Sequence, residues 1–313
     1  MSLEEKENIF LVINTSFFGD VLLCNSLCQN IKINYPKSKI VFIVNDPFED
    51  AAKFQKDVDE VIVYDKKGKN KGLFGLIKFI IDFPYKFPFC TFIPYYGERN
   101  FFIAMMIGSR RIITEVKNDL NCSVQERHTK LLTQLKSVKK FENLPIKYNA
   151  DTFLPEDLKS LVVKNYKYIG ICPLSKNKKK DLPEEVCIDL IRQINLTDYK
   201  VLLLGVGENM KNYSSLLKKS GCEYIDLVDK TTIPELAAVL KNCEGLISVD
   251  TGTMHLGCAV GVPVVALFYS KEMIIHWAPV PELYKSVVIS ENITAQYIRE
   301  KLFCLINKEG GNV

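Results

Sequence analysis

Two Rossmann-like α/β lobes facing a central cleft are the fold class this sequence predicts, and three observations predict it. Short apolar runs alternate with helix-length segments over most of the 313 residues, the pattern of an open α/β sheet. The run 246–249 is too short for a helix and suits a strand buried in a parallel sheet. The alternation loosens once, over residues 139–167, where Leu144-Pro145, Leu154-Pro155 and many lysines mark an interdomain connection. A chain of this length has room for two cores, and the domains are placed at 1–155 and 156–313.

The elements follow in order. Residues 9–14 are a strand and Thr15 to Gly19 a loop, with Gly19 giving a tight turn. Asp20 then opens a helix that buries Val21, Leu22, Leu23, Leu27 and Ile31 and stops at Tyr35-Pro36. Residues 40–44 are a strand, 47–54 a short helix and 58–64 a strand, followed by a basic turn at 66–71. The stretch to Phe92 is apolar and aromatic, and Pro84 and Pro88 forbid one long helix there. Residues 98–107 read as helix, 110–113 as strand and 124–138 as a helix with a basic exposed side. In the second lobe the strands are 168–172, 200–204, 224–227, 246–249, 264–268 and 287–289. The helices are 183–194, 208–219, 234–240, 254–260 and 294–305. No solenoid period is present.

Composition narrows the function classes. At 47% hydrophobic and 25% charged residues the chain is globular and soluble, and a net charge of +4 suits anionic ligands without demanding nucleic acid. Glu4, Glu5 and Glu7 precede the first apolar run, so no signal peptide is expected, and no run approaches a membrane span. The ten cysteines include no Cys-x-x-Cys pair; Cys24 and Cys28 are one helical turn apart, a packing pair. They read as reduced thiols of a cytoplasmic protein. His128, His255 and His276 are isolated from one another in sequence, so neither a histidine metal cluster nor a metal cofactor is expected.

Three stretches carry candidate chemistry. The turn Asp250-Thr-Gly-Thr253 starts a short helix whose first amide N–H groups have no intrahelical partner, a site that attracts phosphate. Thr251, Gly252, Thr253 and His255 converge there, and the competing reading is an ordinary capped helix. Asp20 lies where the first strand hands over to its helix; it is either an N-cap or a general base facing the cleft. The loop 173–183 of the second lobe carries Ser175, Lys176, Lys178, Lys179 and Lys180. It is either a solvated face or a diphosphate contact at the ligand edge of the sheet.

Together these residues resemble the heptosyltransferases, glycosyltransferase family 9. Phe18-Gly-Asp-Val-Leu-Leu23 with Tyr35-Pro36 is similar to their opening, Lys180-Asp-Leu-Pro183 to their Lys-x-Trp-Pro element, and Val249-Asp-Thr-Gly-Thr-Met-His-Leu256 to their nucleotide-binding segment. The resemblance implies a B-type glycosyltransferase fold, with an acceptor-binding first domain and a nucleotide-sugar-binding second. It also implies inverting transfer of heptose from ADP-heptose to a lipopolysaccharide core, without a bound metal. Carried over, Asp20 is the base and Lys180 and the turn Thr251-Gly252-Thr253 hold the diphosphate. Asp250 and His255 shape the donor site, with Ser175 in the donor set, and Glu208, in Gly205-Val-Gly-Glu, faces the ribose. Three departures stand out: Asn14 where many members have arginine, Leu182 in the tryptophan place, and an atypical segment 269–279.

Two other classes compete: a nucleotide-sugar epimerase of the same architecture, and a non-catalytic sugar-nucleotide-binding protein, against which both Asp20 and Lys180 argue. The expected partners are the nucleotide sugar, a lipid-linked or core oligosaccharide acceptor, and no nucleic acid. A peripheral contact with the inner face of the cytoplasmic membrane is expected through the first lobe. There Phe74, Phe79, Phe83, Phe87 and Phe89 alternate with Lys71, Lys78 and Lys86, most of the rings being core. His128 and His276 read as surface or packing residues, and Trp277 as either a sugar platform or a core cover.

Overall fold

Five apolar runs of the first unit pair side by side in the computed structural model, which describes residues 8–115, 121–151, 154–161 and 166–307. They are β1 (Ile9–Asn14), β2 (Lys39–Asn45), β3 (Glu60–Tyr64), β4 (Cys90–Ile93) and β5 (Ile112–Thr114), all parallel, in the order β3-β2-β1-β4-β5. The chain divides into two units, Met1–Lys147 and Tyr148–Val313. The second holds β6 (Lys167–Cys172), β7 (Tyr199–Leu203), β8 (Ile225–Asp226), β9 (Gly245–Val249), β10 (Val264–Leu267) and β11 (Ser286–Ile289). These are also parallel, in the order β11-β10-β9-β6-β7-β8.

In both sheets the chain starts at the centre, steps outward, then crosses back to fill the other side. Right-handed crossovers place helices of the two halves on opposite faces. Thus the helices Gly72–Asp82 and Glu98–Met106 share one face of the first sheet. There Leu76, Phe79 and Ile80 pack with Ile103, Ala104 and Ile107 over Leu11, Ile13, Val41 and Ile43. In the second unit the helices Glu184–Asn195 and Ala295–Asn307 cover Ile169, Ile171, Val201 and Ile247. The helix Gly252–Val260 lies close on β9, because a Cβ at Gly257 would stand 2.5 Å from Leu246 Cδ2. Gly261 ends that helix at φ 85°, a left-handed residue as anticipated for its stop.

Several expectations need correction. The first helix begins at Phe18, so Gly19 is helical and no turn residue, and Asp20 is not the N-cap. Phe17 holds that place, and Asp20 Oδ2 accepts the Phe17 N–H at 3.2 Å from the third helical position. The helix is interrupted at Cys24 and resumes as Asn25–Asn34. Strand β4, a central one, is only four residues between Pro88 and Pro94 and was hidden in the aromatic stretch. The segment 124–138 is α-helical only over Val124–Lys130, followed by a 3₁₀ turn Leu131–Gln134. The helices Glu156–Leu161 and Lys271–Trp277 were not anticipated. Of the five phenylalanines, Phe79 and Phe83 are buried, Phe89 is half-buried, and Phe74 and Phe87 are exposed. His128 is a buried packing residue, while His276 and Trp277 are half-buried. Glu4, Glu5 and Glu7, and residues 152–153 and 162–165 of the expected connection, lie outside the described residues. No helix among the described residues is long and apolar enough to cross a membrane.

The expected connection is ordered where it leaves the first unit. Its backbone runs along the helix Asn25–Asn34 and is paired by that helix's amide side chains. Asn34 Nδ2 donates to Lys140 O (2.7 Å), and Asn34 Oδ1 accepts from the N–H groups of Lys139 and Lys140. Asn30 exchanges both bonds with the Glu142 backbone at 2.9 Å. Gln29 donates to Pro145 O (2.7 Å), and Asn25 Oδ1 accepts from Lys147 N (2.8 Å). A segment without strand or helix partners is thereby satisfied by side chains instead.

Two consequences are measurable. Burial pushes the pKa of His128 down to about 3 and that of His255 to about 4, from an ordinary 6.5. The folded protein holds both rings neutral, while the unfolded chain takes up protons below pH 6.5, so this stability is present above that pH and lost as pH falls. The urea midpoint is expected to drop from pH 6.5 to 5, each histidine contributing about 1–2 kcal/mol, with a shallower fall in His128→Leu. Nine of the ten free cysteines are buried and Cys304 alone is exposed. Native protein should therefore react promptly with a thiol reagent at Cys304, and the other nine only on unfolding.

Candidate functional site

In an open parallel sheet, ligands bind beyond the carboxyl ends of strands where successive connections diverge to opposite faces. That point lies between β6 and β9 in the second unit and between β1 and β4 in the first.

Strand β6 ends at Cys172 and runs into the lysine loop. The loop is pinned at several points: Ser175 N donates to Asp181 Oδ1 (2.7 Å), Leu182 N to Pro173 O (2.8 Å), and Ser175 Oγ to Asn177 O (2.8 Å). Leu182 is buried in the core, so the residue in the tryptophan place is a packing anchor. The anchored loop carries Lys180 across the switch point to β9, where its Nζ meets Asp250 Oδ2 at 2.5 Å. The Asp250 side chain is 8% exposed and that of Lys180 28%, so the pair has one side toward water. An ammonium has three donors, and this bond uses one.

Past Asp250, Thr251 caps the helix Gly252–Val260 in extended conformation but makes no side-chain cap hydrogen bond. Its hydroxyl turns inward, 3.2 Å from Ser248 Oγ and 3.9 Å from Cys172 Sγ. Met254 N bonds back to Thr251 O at 3.2 Å, while the amides of Gly252 and Thr253 have no acceptor among the described residues and stand at the positive end of the helix dipole. His255, on the first turn, is buried, and its Nε2 has no hydrogen-bond partner among the described residues. Burial dominates its low pKa, Asp250 pulling it up and Lys180 down. The ring is uncharged at neutral pH.

Glu208 lies at the exposed start of the helix Glu208–Lys219, beyond the carboxyl end of β7. Its turn is held by Asp229, which accepts from Gly207 N at 2.8 Å and pairs with Lys211 at 3.0 Å. No hydrogen bond or ion pair among the described residues joins Glu208 to Lys180 or Asp250.

In the first unit Asp20 is buried at the carboxyl end of β1. Asn14, where the resemblance has arginine, donates from Nδ2 to Asp20 O (3.1 Å) and accepts from Ser16 N (3.0 Å). Thr15 Oγ1 donates to Asn100 Oδ1 at 3.1 Å, tying this loop to the first turn of the helix Glu98–Met106. These bonds hold the Asp20 backbone and its loop, while the carboxylate itself accepts the Phe17 N–H at 3.2 Å.

The structure brings together Lys180, Asp250, Thr251 and His255, with Gly252 and Thr253 on the same helix start and Ser175 in the pinned loop. It leaves Glu208 one strand away and Asp20 in the other unit. Sequence reasoning missed Ser248, Asp181 and Asp229. Ser248 had a signal, a hydroxyl inside an apolar strand. Tyr269, two residues past β10, opens the segment read as atypical but was given no role of its own; burial and then the Asp181 charge push its phenol up to about 12, so it stays protonated.

Comparison with known proteins identifies the family. The family model of glycosyltransferase family 9 (heptosyltransferase) matches residues 107–304. The chain is 22% identical over 289 residues to lipooligosaccharide heptosyltransferase 2 of Haemophilus influenzae, covering 82% of each protein. Among solved structures, a glycosyl transferase family 9 protein from Veillonella parvula matches with a TM-score of 0.83 at 18% identity, over 98% of this chain and 99% of that one. The Escherichia coli ADP-heptose lipopolysaccharide heptosyltransferase II matches with a TM-score of 0.76 at 17% identity, over 96% and 99%. These likenesses show the B-type glycosyltransferase fold. With the family model matching well over half its length, the chain belongs to glycosyltransferase family 9 and is a glycosyltransferase.

Proposed function

We propose that this protein transfers heptose from ADP-heptose to a lipopolysaccharide core or another cell-envelope glycan, by single displacement with inversion. The observation that carries the reading is the Lys180–Asp250 pair at the switch point, beside a helix start whose cap residue leaves its amides open. The named relatives supply the sugar and the acceptor class; the residues supply the chemistry.

As the sugar–phosphate bond breaks, negative charge builds on the departing diphosphate. Lys180 and the amides of Gly252 and Thr253 are fixed donors for that charge, and they need no reorganisation as it develops. Asp250 holds the ammonium in place without neutralising all its donors. The hydroxyl of Thr253 adds a neutral contact, and uncharged His255 offers Nε2 to the donor. Ser175 lies in the loop that presents Lys180, and Glu208 faces the ribose from the neighbouring strand end. Asp20 takes the proton of the acceptor hydroxyl, its position set by the Phe17 amide and Asn14. The second domain binds the nucleotide sugar and the first the acceptor.

A donor panel of ADP-heptose, UDP- and GDP-sugars, with and without core acceptors, tests the reaction. Acceptor-dependent release of ADP is expected; acceptor-free isomerisation of the sugar, or binding without turnover, would overturn it. Asp20→Asn should lower turnover by about 10²–10⁴-fold with nucleotide affinity unchanged, as loss of a general base does. A carboxylate that serves only the helix start would be replaced by asparagine at little cost, so near wild-type turnover ends the assignment. Lys180→Ala should weaken nucleotide-sugar binding by about 10–100-fold, the worth of a charge-assisted hydrogen bond. Its melting temperature, read alongside, separates this from the loss of Asp250's partner.

A further inference from the structure

A surface helix ordinarily carries one apolar stripe toward the core and polar residues opposite. The helix Gly72–Asp82 departs from this. Leu76, Phe79 and Ile80 face the core, while Leu73, Phe74, Ile77 and Ile81 form a second apolar arc on water. At about 100° per residue these four span roughly 100° of the helix, next to the buried stripe. Phe74 is 89% exposed.

The arc continues beyond the helix. Phe87 is exposed at φ 56°, a left-handed conformation costly for a bulky side chain. Its N–H donates to Ile107 O at 3.0 Å, and its ring covers Gly108, where a Cβ would come within 2.6 Å. Phe87 is thereby pinned against the end of the helix Glu98–Met106, whose Met105 and Met106 are half-exposed. Lys86 Nζ donates to Ile80 O and Ile81 O, closing the other helix's last turn. Both helices lie on one face of the first sheet.

Charge identifies what such a face fits. Residues 66–111 hold nine lysines and arginines against two acidic residues, in a chain whose net charge is only +4, so the remainder is net acidic. Lys67, Lys69 and Lys71 precede the helix, Lys78 lies along its edge and Lys86 follows it, all exposed. Protein interfaces favour tyrosine, tryptophan and arginine and are poor in lysine. Phenylalanine, leucine and isoleucine bordered by lysine form the pattern of a segment lying in a lipid interface, apolar side chains among acyl chains and ammonium groups at headgroup phosphates.

We propose that this face of the first unit, centred on Leu73, Phe74, Ile77, Ile81 and Phe87, docks on an anionic phospholipid bilayer. The inference deepens the proposed function, since a lipid-anchored acceptor would be met there, but vesicle binding is measured without donor or acceptor. Its failure therefore leaves the transfer reading standing, and the reverse.

The test is co-sedimentation at low salt with vesicles of phosphatidylcholine alone and with about one third phosphatidylglycerol added. Wild type should partition onto the anionic vesicles, less onto the neutral ones, and be released by salt. Phe74→Ser/Ile81→Ser should bind the anionic vesicles about 10- to 100-fold more weakly, with unchanged melting and unchanged nucleotide binding. Lys71→Glu/Lys78→Glu, which leaves the apolar arc intact, should abolish the preference for anionic lipid. No vesicle binding by the wild type overturns the proposal, as does equal binding by Phe74→Ser/Ile81→Ser. Dimers in sedimentation velocity that this variant abolishes would assign the face to a second copy instead.

Discussion

The handedness of the strand-to-strand crossover is the constraint on which the rest of this structure depends. Each sheet is begun in the middle, at β1 or β6, and a right-handed path can only fill one side with its helices above and the other with them below. The connections therefore part at one place in each sheet, and the loops leaving there cannot cover each other. Lys180 and Asp250 are 70 residues apart in sequence and meet because their strands are neighbours across that gap. The ion pair is a consequence of topology before it is a contribution to chemistry.

Around it, charge is arranged with economy. One carboxylate faces one ammonium, and the imidazole beside them is held neutral chiefly by burial. The hydroxyls of Ser248 and Thr251 and the Cys172 thiol line the floor with weak polar groups: Thr251 Oγ1 lies 3.2 Å from Ser248 Oγ and 3.9 Å from Cys172 Sγ, and Ser248 Oγ donates to Val249 O at 2.8 Å. Positive potential is thus concentrated on a lysine with donors to spare and on backbone amides, both of which attract phosphate.

Much of this was legible from the residues because local chemistry announced it. The helix Glu208–Lys219 was read to the residue, since Gly207 precedes it and Ser220-Gly221 ends it. The turn after β9 was legible from its glycine and threonines. Asp20 was found but given the wrong place, because cap rules look for an oxygen-bearing side chain and the true cap residue, Phe17, has none. Strand β4 escaped because four residues between prolines carry no period, and only its neighbours β1 and β5 make it a strand. The partners Asp181 and Asp229 escaped for a related reason: each acts on a backbone amide at a distance that no spacing rule encodes. The second apolar arc of the helix Gly72–Asp82 was visible as composition, but which half faced water depended on the sheet beneath.

The amide side chains that receive residues 139–147 carry a further consequence. Asn25, Gln29 and Asn30 each read one position of an otherwise structureless backbone and Asn34 reads two, as teeth read a rack. Surface segments rich in lysine are where protein chains ordinarily gain and lose residues over evolutionary time. Here the length is metered. One residue added between Lys140 and Lys147 would put every later carbonyl and amide out of step with its amide. The last stretch of the first unit is therefore as intolerant of insertion as a core strand, although it looks from outside like a tether.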